Sequence, residues 1–314
     1  GTFIAKMSSP QRSFDMASFS VDAFPDSECI AYADEKPSLF RSIHLSRISA
    51  GSGERAARQI LNSIKDGSSS FEDAARAYSQ DSYADKGGDM GIRLVYELEQ
   101  EIAAADLEKI TGLGRGEYSD VIQTGGSWAF FRVEEEVRPA DVNDEAVMEK
   151  IRSYMRNFNR GRMEDWAVAQ AREFIADANV YGFDAALRRQ GKEKRSFGPL
   201  PINYGDVNLF AALANYYIPE LSNSSTDENF WKAVFSTRIN TFSEPLVQGS
   251  NVLVFLPTEQ TEADEYSIDA IVSKYSAYRL TYLEQSIYAY FLNSDKLDNR
   301  FWDIYFRYFM PMGG

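Results

Sequence analysis

The chain has 314 residues, 44% of them hydrophobic and 25% charged, which is enough for two or more packed domains and is neither disordered nor fibrous in composition. Its formal net charge of -14 argues against a nucleic-acid surface, because phosphate binding draws on clustered Lys and Arg and the basic run from Arg188 to Arg195 is short and isolated. The single cysteine, Cys29, excludes an intramolecular disulfide and, with one histidine in the chain, cannot build a zinc site; no cofactor is expected either.

No apolar run reaches the length of about twenty residues that spans a bilayer. The aromatic tail from Phe301 to Met310 is half that and carries Asp303 and Arg307. The sequence opens Gly-Thr-Phe, without an initiator methionine or a basic-then-apolar leader, and is expected to be part of a longer protein.

In chain order, residues 10 to 38 give a weakly alternating strand around Phe14, Met16, Phe19 and Val21, then a short helix from Ser27 to Ala33 with Asp26 as its cap. The strand has no hairpin partner nearby. From Phe40 to Ile48, alternation puts Arg41, Ile43, Leu45 and Arg47 on one face and Ser42, His44 and Ser46 on the other. Ile43 and Leu45 read as core, which leaves His44 between two small polar residues with room for a ligand. A helix from Glu54 to Ile64 stops at Gly67. Ser70 and Asp73 have capping-box spacing for a second helix with Phe71, Ala74, Ala75 and Tyr78 on one face. It runs into Asp81, Lys86 and the turn Gly87-Gly88-Asp89-Met90-Gly91, whose glycines permit positive φ and close backbone approach. A helix over Glu97 to Ala105 and strands over Tyr118 to Gln123 and Trp128 to Glu134 close an α+β unit.

Pro139 opens a linker, followed by a helix from Asp141 to Phe158. The pattern then repeats. Ala171 to Ile175 with Gly182 to Ala186 echoes Ala57 to Leu61 with Ser70 to Ala74, and Phe230 to Phe235, Phe242 to Val247 and Val252 to Phe255 read as a closing helix and strand pair. Residues 263 to 292 carry apolar positions at helical spacing, and Asn293 to Asp295 turns the chain into a second helix through Phe309. Those aromatic helices either pack on the second domain or a partner subunit, or offer an adaptable surface to unfolded polypeptide.

Tyr78-Ser79, Asp81 and Gly87 to Gly91 resemble the parvulin family of peptidyl-prolyl cis-trans isomerases, and the match continues through Phe40 to Ile48, Gly116 to Asp120 and Ser127 to Val133. The resemblance implies an α+β fold of two parvulin-like domains, each a small antiparallel sheet with helices, the second degenerate, plus a helical linker and C-terminal aromatic helices. The divisions are 1–38 as an N-terminal arm, 39–138 as the first domain, 139–262 as linker and second domain, and 263–314 as the C-terminal helices. It further implies that His44 matches the family's first active-site histidine, Asp81 its acidic or thiol residue, and Met90 one wall of the proline pocket. Leu107 or a neighbour stands where a pocket phenylalanine is expected, and Ala129 where the second histidine is expected. In the family the histidines and the acid share hydrogen bonds.

The resemblance points to an extracytoplasmic folding factor, periplasmic or membrane-anchored through a segment outside this sequence, that binds unfolded or proline-containing polypeptide. Two readings stand: weak isomerisation in the first domain, or a non-catalytic chaperone or scaffold. From the residues alone His44 and Asp81 serve equally as a structural strand histidine and a turn acid, and Met90 as core or pocket wall. A homodimer is a further expectation.

Overall fold

The computed structural model describes residues 2–51, 53–294, 300 and 304–305. Its elements are α1 (Thr2–Lys6), β1 (Gln11–Ser20), α2 (Asp26–Glu35), α3 (Pro37–Phe40), β2 (Ser42–Ala50), α4 (Glu54–Lys65), α5 (Phe71–Tyr78), β3 (Asp89–Leu94), α6 (Val95–Leu98), α7 (Ala104–Thr111), β4 (Ile122–Thr124) and β5 (Ser127–Arg138). There follow α8 (Glu145–Phe158), α9 (Arg160–Tyr181), α10 (Phe183–Arg189), β6 (Arg195–Leu200), α11 (Glu228–Ser236), β7 (Leu246–Gln248), β8 (Asn251–Thr261) and α12 (Glu265–Leu292). The second C-terminal helix expected through Phe309 lies outside the described residues except at 300, 304 and 305.

Two compact units divide the chain: an inserted unit, Asp22–Met163, and a split unit made of Gly1–Val21 with Glu164–Gly314. Each is built on a four-stranded antiparallel sheet, in the order β3-β2-β5-β4 in the inserted unit and β6-β1-β8-β7 in the split one. The two orders are the same topology, the first strand of each unit lying second in its sheet. The expected N-terminal arm is therefore a central strand: β1 pairs with β8 along its whole length and with β6 on its other edge. Its missing hairpin partner is supplied from across the inserted unit.

The repeat holds at atomic level. Ser119 N–H donates to Phe131 O and Ser119 Oγ accepts from Phe131 N–H at 2.9 Å; Ser243 and Phe255 make the same two bonds, at 2.9 and 3.0 Å. Phe131 opposes Arg47 on β2, and Phe255 opposes Met16 on β1. Both first strands slip register at the same place, between His44 and Leu45 and between Ser13 and Phe14. In the split unit the position of Arg47 is thus taken by Met16, inside an aromatic core of Phe14, Phe197, Phe230 and Phe255.

In the inserted unit, two cores lie on the two faces of the sheet. Ile48, Ala57, Leu61, Phe71, Ala74 and Phe130 pack under α4 and α5. Ile43, Leu45, Met90, Leu98, Leu107 and Phe131 pack under α6 and α7. The single helix expected over 97–105 is two, because residues 99–103 turn so that Leu98 and Ile102 both reach that second core before Ala103 opens α7. The helix read as a linker, α8, packs within this unit instead: Tyr154 lies against Tyr32, Phe40 and Tyr96, and Arg152 grips Asp26 with two bonds of 2.7 and 2.8 Å. Cys29 is buried here, and burial pushes its thiol above the ordinary range.

Candidate functional site

The glycine turn positions everything of interest. Gly88 has φ +89° and its carbonyl accepts from Arg47 N–H at 2.8 Å; a Cβ there would come within 2.7 Å of Arg47 O and 2.9 Å of the Phe71 ring. Only glycine allows the turn to lie this close to β2. One residue on, Asp89 Oδ1 accepts from Gly91 N–H at 2.7 Å and sits 2.7 Å from His44 Nε2. As a carboxylate can only accept, the imidazole donates from Nε2. Burial pushes the Asp89 carboxyl up, but the bonds from His44 and Gly91 outweigh it and hold it below the usual carboxylate range.

His44 and Ser46 open onto a cleft of about 600 Å³ whose other walls include Glu72, Asp89, Arg132 and Glu134. It is polar and charged in both signs. Arg132 bridges Glu72 and Glu134 at 2.7 Å each and lies 4.5 Å above the Phe71 ring. The bond from Arg132 holds Glu72 below the usual range against the opposing effect of burial. Ser46 Oγ donates to Glu134 at 2.6 Å.

Asp81 belongs to a different network. Its Oδ2 accepts from Arg47 Nε at 3.1 Å and its Oδ1 from Tyr83 N–H at 2.9 Å, while Arg47 Nη1 reaches Glu101 at 2.9 Å. The guanidinium lies 5.2 Å from the Tyr83 ring centre, and Arg93 covers the same ring at 5.4 Å and donates to its hydroxyl. Tyr83 in turn packs on the core that contains Met90 and Leu107. Among the described residues no hydrogen bond joins His44 to Asp81, and neither Asp81, Met90 nor Leu107 lines the cleft at His44.

Of the residues named from sequence, then, His44 faces an open cleft, Asp81 is committed to an arginine, and Met90 and Leu107 are core, 7% and 5% exposed. Ala129 is fully buried in the same core. The shared network implied by the resemblance is divided in two. Sequence reasoning missed Arg47, although the signal was present: an arginine on the Ile43 and Leu45 face points toward core and requires a buried acid. It also missed Asp89, read only as part of a turn.

A family model described as the PPIC-type PPIASE domain matches residues 48–135, and a second, described as a third domain, matches residues 196–262. An uncharacterized protein of Treponema pallidum is 27% identical over 62% of this chain and 77% of its own length. The chaperone SurA of Bordetella avium is 34% identical over 39% of this chain, which spans 24% of that chaperone. The crystal structure of PrsA from Bacillus subtilis is similar at 23% identity, with 47% of this chain and 56% of that one covered and a TM-score of 0.29.

Proposed function

With residues 48–135 forming a parvulin-type, PPIC-type isomerase domain, we propose that this protein is a folding factor that holds polypeptide on that domain without turning over X-Pro bonds. Rotation about the prolyl bond crosses a barrier of ~18–20 kcal/mol. Each tenfold acceleration asks for about 1.4 kcal/mol of preferential binding to the twisted amide. Such a site wants an apolar pocket for the ring, shelter from water and polar groups aimed at the turning amide. Here the residues that would wall the pocket are closed into core, and the acid is taken up by Arg47.

What remains open is the cleft at His44. Its walls present a hydrogen-bonding imidazole and charges of both signs, which suit the backbone and charged side chains of an extended chain rather than a proline ring. The separation of His44 from Asp81 carries this reading. An extracytoplasmic location, with a membrane anchor outside the sequence given, is part of the same proposal; among the described residues no helix is long and apolar enough to cross a membrane.

A protease-coupled proline-isomerisation assay on wild type, His44→Ala and Asp81→Ala tests it, beside suppression of aggregation of an unfolded client. Near-background rates in all three, with suppression by wild type, are expected. A wild-type rate well above background that both substitutions abolish overturns the proposal. The second reading, weak isomerisation by His44 alone, is favoured by the opening of that imidazole to the cleft; it requires a rate lost in His44→Ala and kept in Asp81→Ala.

A further inference from the structure

The two ring nitrogens of His44, the one histidine in the chain, have different fates. Nε2 lies 2.7 Å from Asp89 Oδ1, and the same oxygen accepts from Gly91 N–H, also at 2.7 Å. A carboxylate has no proton to give, so in the neutral ring the hydrogen sits on Nε2 and the lone pair on Nδ1. Nδ1 makes no hydrogen bond among the described residues, yet it is not enclosed: the buried side-chain atoms without a partner there are Arg93 Nε, Glu220 Oε2 and Ser224 Oγ. The lone pair is open to the cleft that His44 lines. The polar groups around it are committed. Ser46 Oγ gives its proton to Glu134, Arg132 spans Glu72 and Glu134, and Asp89 is taken by His44 and Gly91. Nδ1 is thus a neutral acceptor set among carboxylates. A Lys or Arg side chain entering the cleft pairs with a carboxylate, because a charge-assisted bond is roughly twice as strong as a neutral one. The neutral lone pair is left to a neutral donor, and the one that a polypeptide carries at every residue except proline is the main-chain N–H.

On the reading that the cleft at His44 holds polypeptide, we propose that Asp89 keeps His44 in this tautomer so that Nδ1 accepts a main-chain N–H from the bound segment. The residue at that point of the segment is then any residue but proline. Asp89 is a positioning residue that acts through the ring. It is itself fixed, because Gly91 N–H binds it across the turn whose backbone Gly88 brings against β2. A prolyl nitrogen at the same point offers no proton and leaves the lone pair unmet, which weakens binding about fivefold. Proline elsewhere in the segment is tolerated.

Nitrogen NMR of the full chain, isotopically labelled at histidine and at the backbone, tests this, because one histidine gives one pair of ring resonances. At about pH 8, above the ordinary imidazole range, a protonated Nε2 and an unprotonated Nδ1 are expected. In Asp89→Ala the two resonances should draw together as the tautomers average. The ligands are a decapeptide of alternating alanine and glutamine and the same peptide N-methylated at every residue, which keeps each carbonyl and loses each main-chain N–H. The first should shift Nδ1. The second should bind at least about fivefold more weakly and leave Nδ1 where it was. His44→Phe should weaken binding of the first peptide by a similar factor, and His44→Gln, which keeps an acceptor, should recover part of it. A proton on Nδ1, unchanged ring resonances in Asp89→Ala or equal binding of the two peptides overturns the inference. So does a peptide that moves the backbone resonances of Ser46 and Glu72 without moving Nδ1, in which case the cleft still holds polypeptide; if neither peptide moves any of them, that reading falls too. An Nδ1 shift produced only by a lysine-bearing peptide, methylated or not, overturns the inference in favour of a charged side chain.

Discussion

Asp81 and Arg47 have side chains only 7% and 12% exposed, so each is the other's compensation for leaving water. Asp81→Ala leaves the Arg47 charge with Glu101 alone and strips the acceptor from Tyr83 N–H; urea unfolding is expected to show a loss of about 3 kcal/mol. Its effect is on stability rather than turnover, which distinguishes a structural acid from a catalytic one. Asp89 and Glu72 act through pH. Both have folded-state pKa values below their ordinary ones, so the stability they contribute is present above the unfolded carboxylate range and is lost as pH falls below about 4. An Asp89→Asn variant should flatten that acid limb in a series of melts between pH 3 and 6. At this scale the sequence showed His44 facing away from Ile43 and Leu45, because alternation decides the face of a strand side chain. It did not show which acid His44 would meet: Asp81 and Asp89 both lie within reach of β2 in sequence, and the close backbone approach at Gly88 selects Asp89.

The elements repeat, and their weak points repeat with them. Ser119 and Ser243 each satisfy the buried backbone N–H of a fully buried phenylalanine, Phe131 and Phe255. Ser119→Ala and Ser243→Ala should each cost about 1–3 kcal/mol, the penalty of an unmade buried bond, read as two matched shifts in denaturant midpoint. Gly88→Ala should cost more, at least about 2 kcal/mol, because the new methyl meets backbone that cannot move aside. The helix start at Phe71 was legible from capping, and the helices beginning near Glu54 and near residue 263 from periodicity. The break between α6 and α7 was not, because Glu99 to Ala103 contains no glycine or proline and the turn is dictated by where Leu98 and Ile102 must pack. Nor was β6, whose residues lack alternation and which forms against an edge of β1 supplied from far upstream.

Across the whole molecule, one four-stranded α+β unit is interrupted after its first strand by a second unit of the same topology. The repeat was legible because it reuses the same helix and strand patterns; the interruption was not, since nothing in the composition of residues 10 to 21 says that their partner lies more than two hundred residues on. Deleting residues 1–20 removes a central strand of the split unit and should abolish its cooperative unfolding transition while a fragment of residues 22–163 still unfolds cooperatively, as followed by calorimetry. The function proposed for that inserted unit depends on His44 and Asp81 serving separate purposes. Exchange spectroscopy by NMR on a proline-containing peptide titrated with the full chain tests this most directly, because it reads binding and isomerisation in one sample. Shifted peptide and cleft resonances without cis–trans exchange cross-peaks are predicted; exchange cross-peaks that grow with protein and vanish in Asp81→Ala would contradict the account.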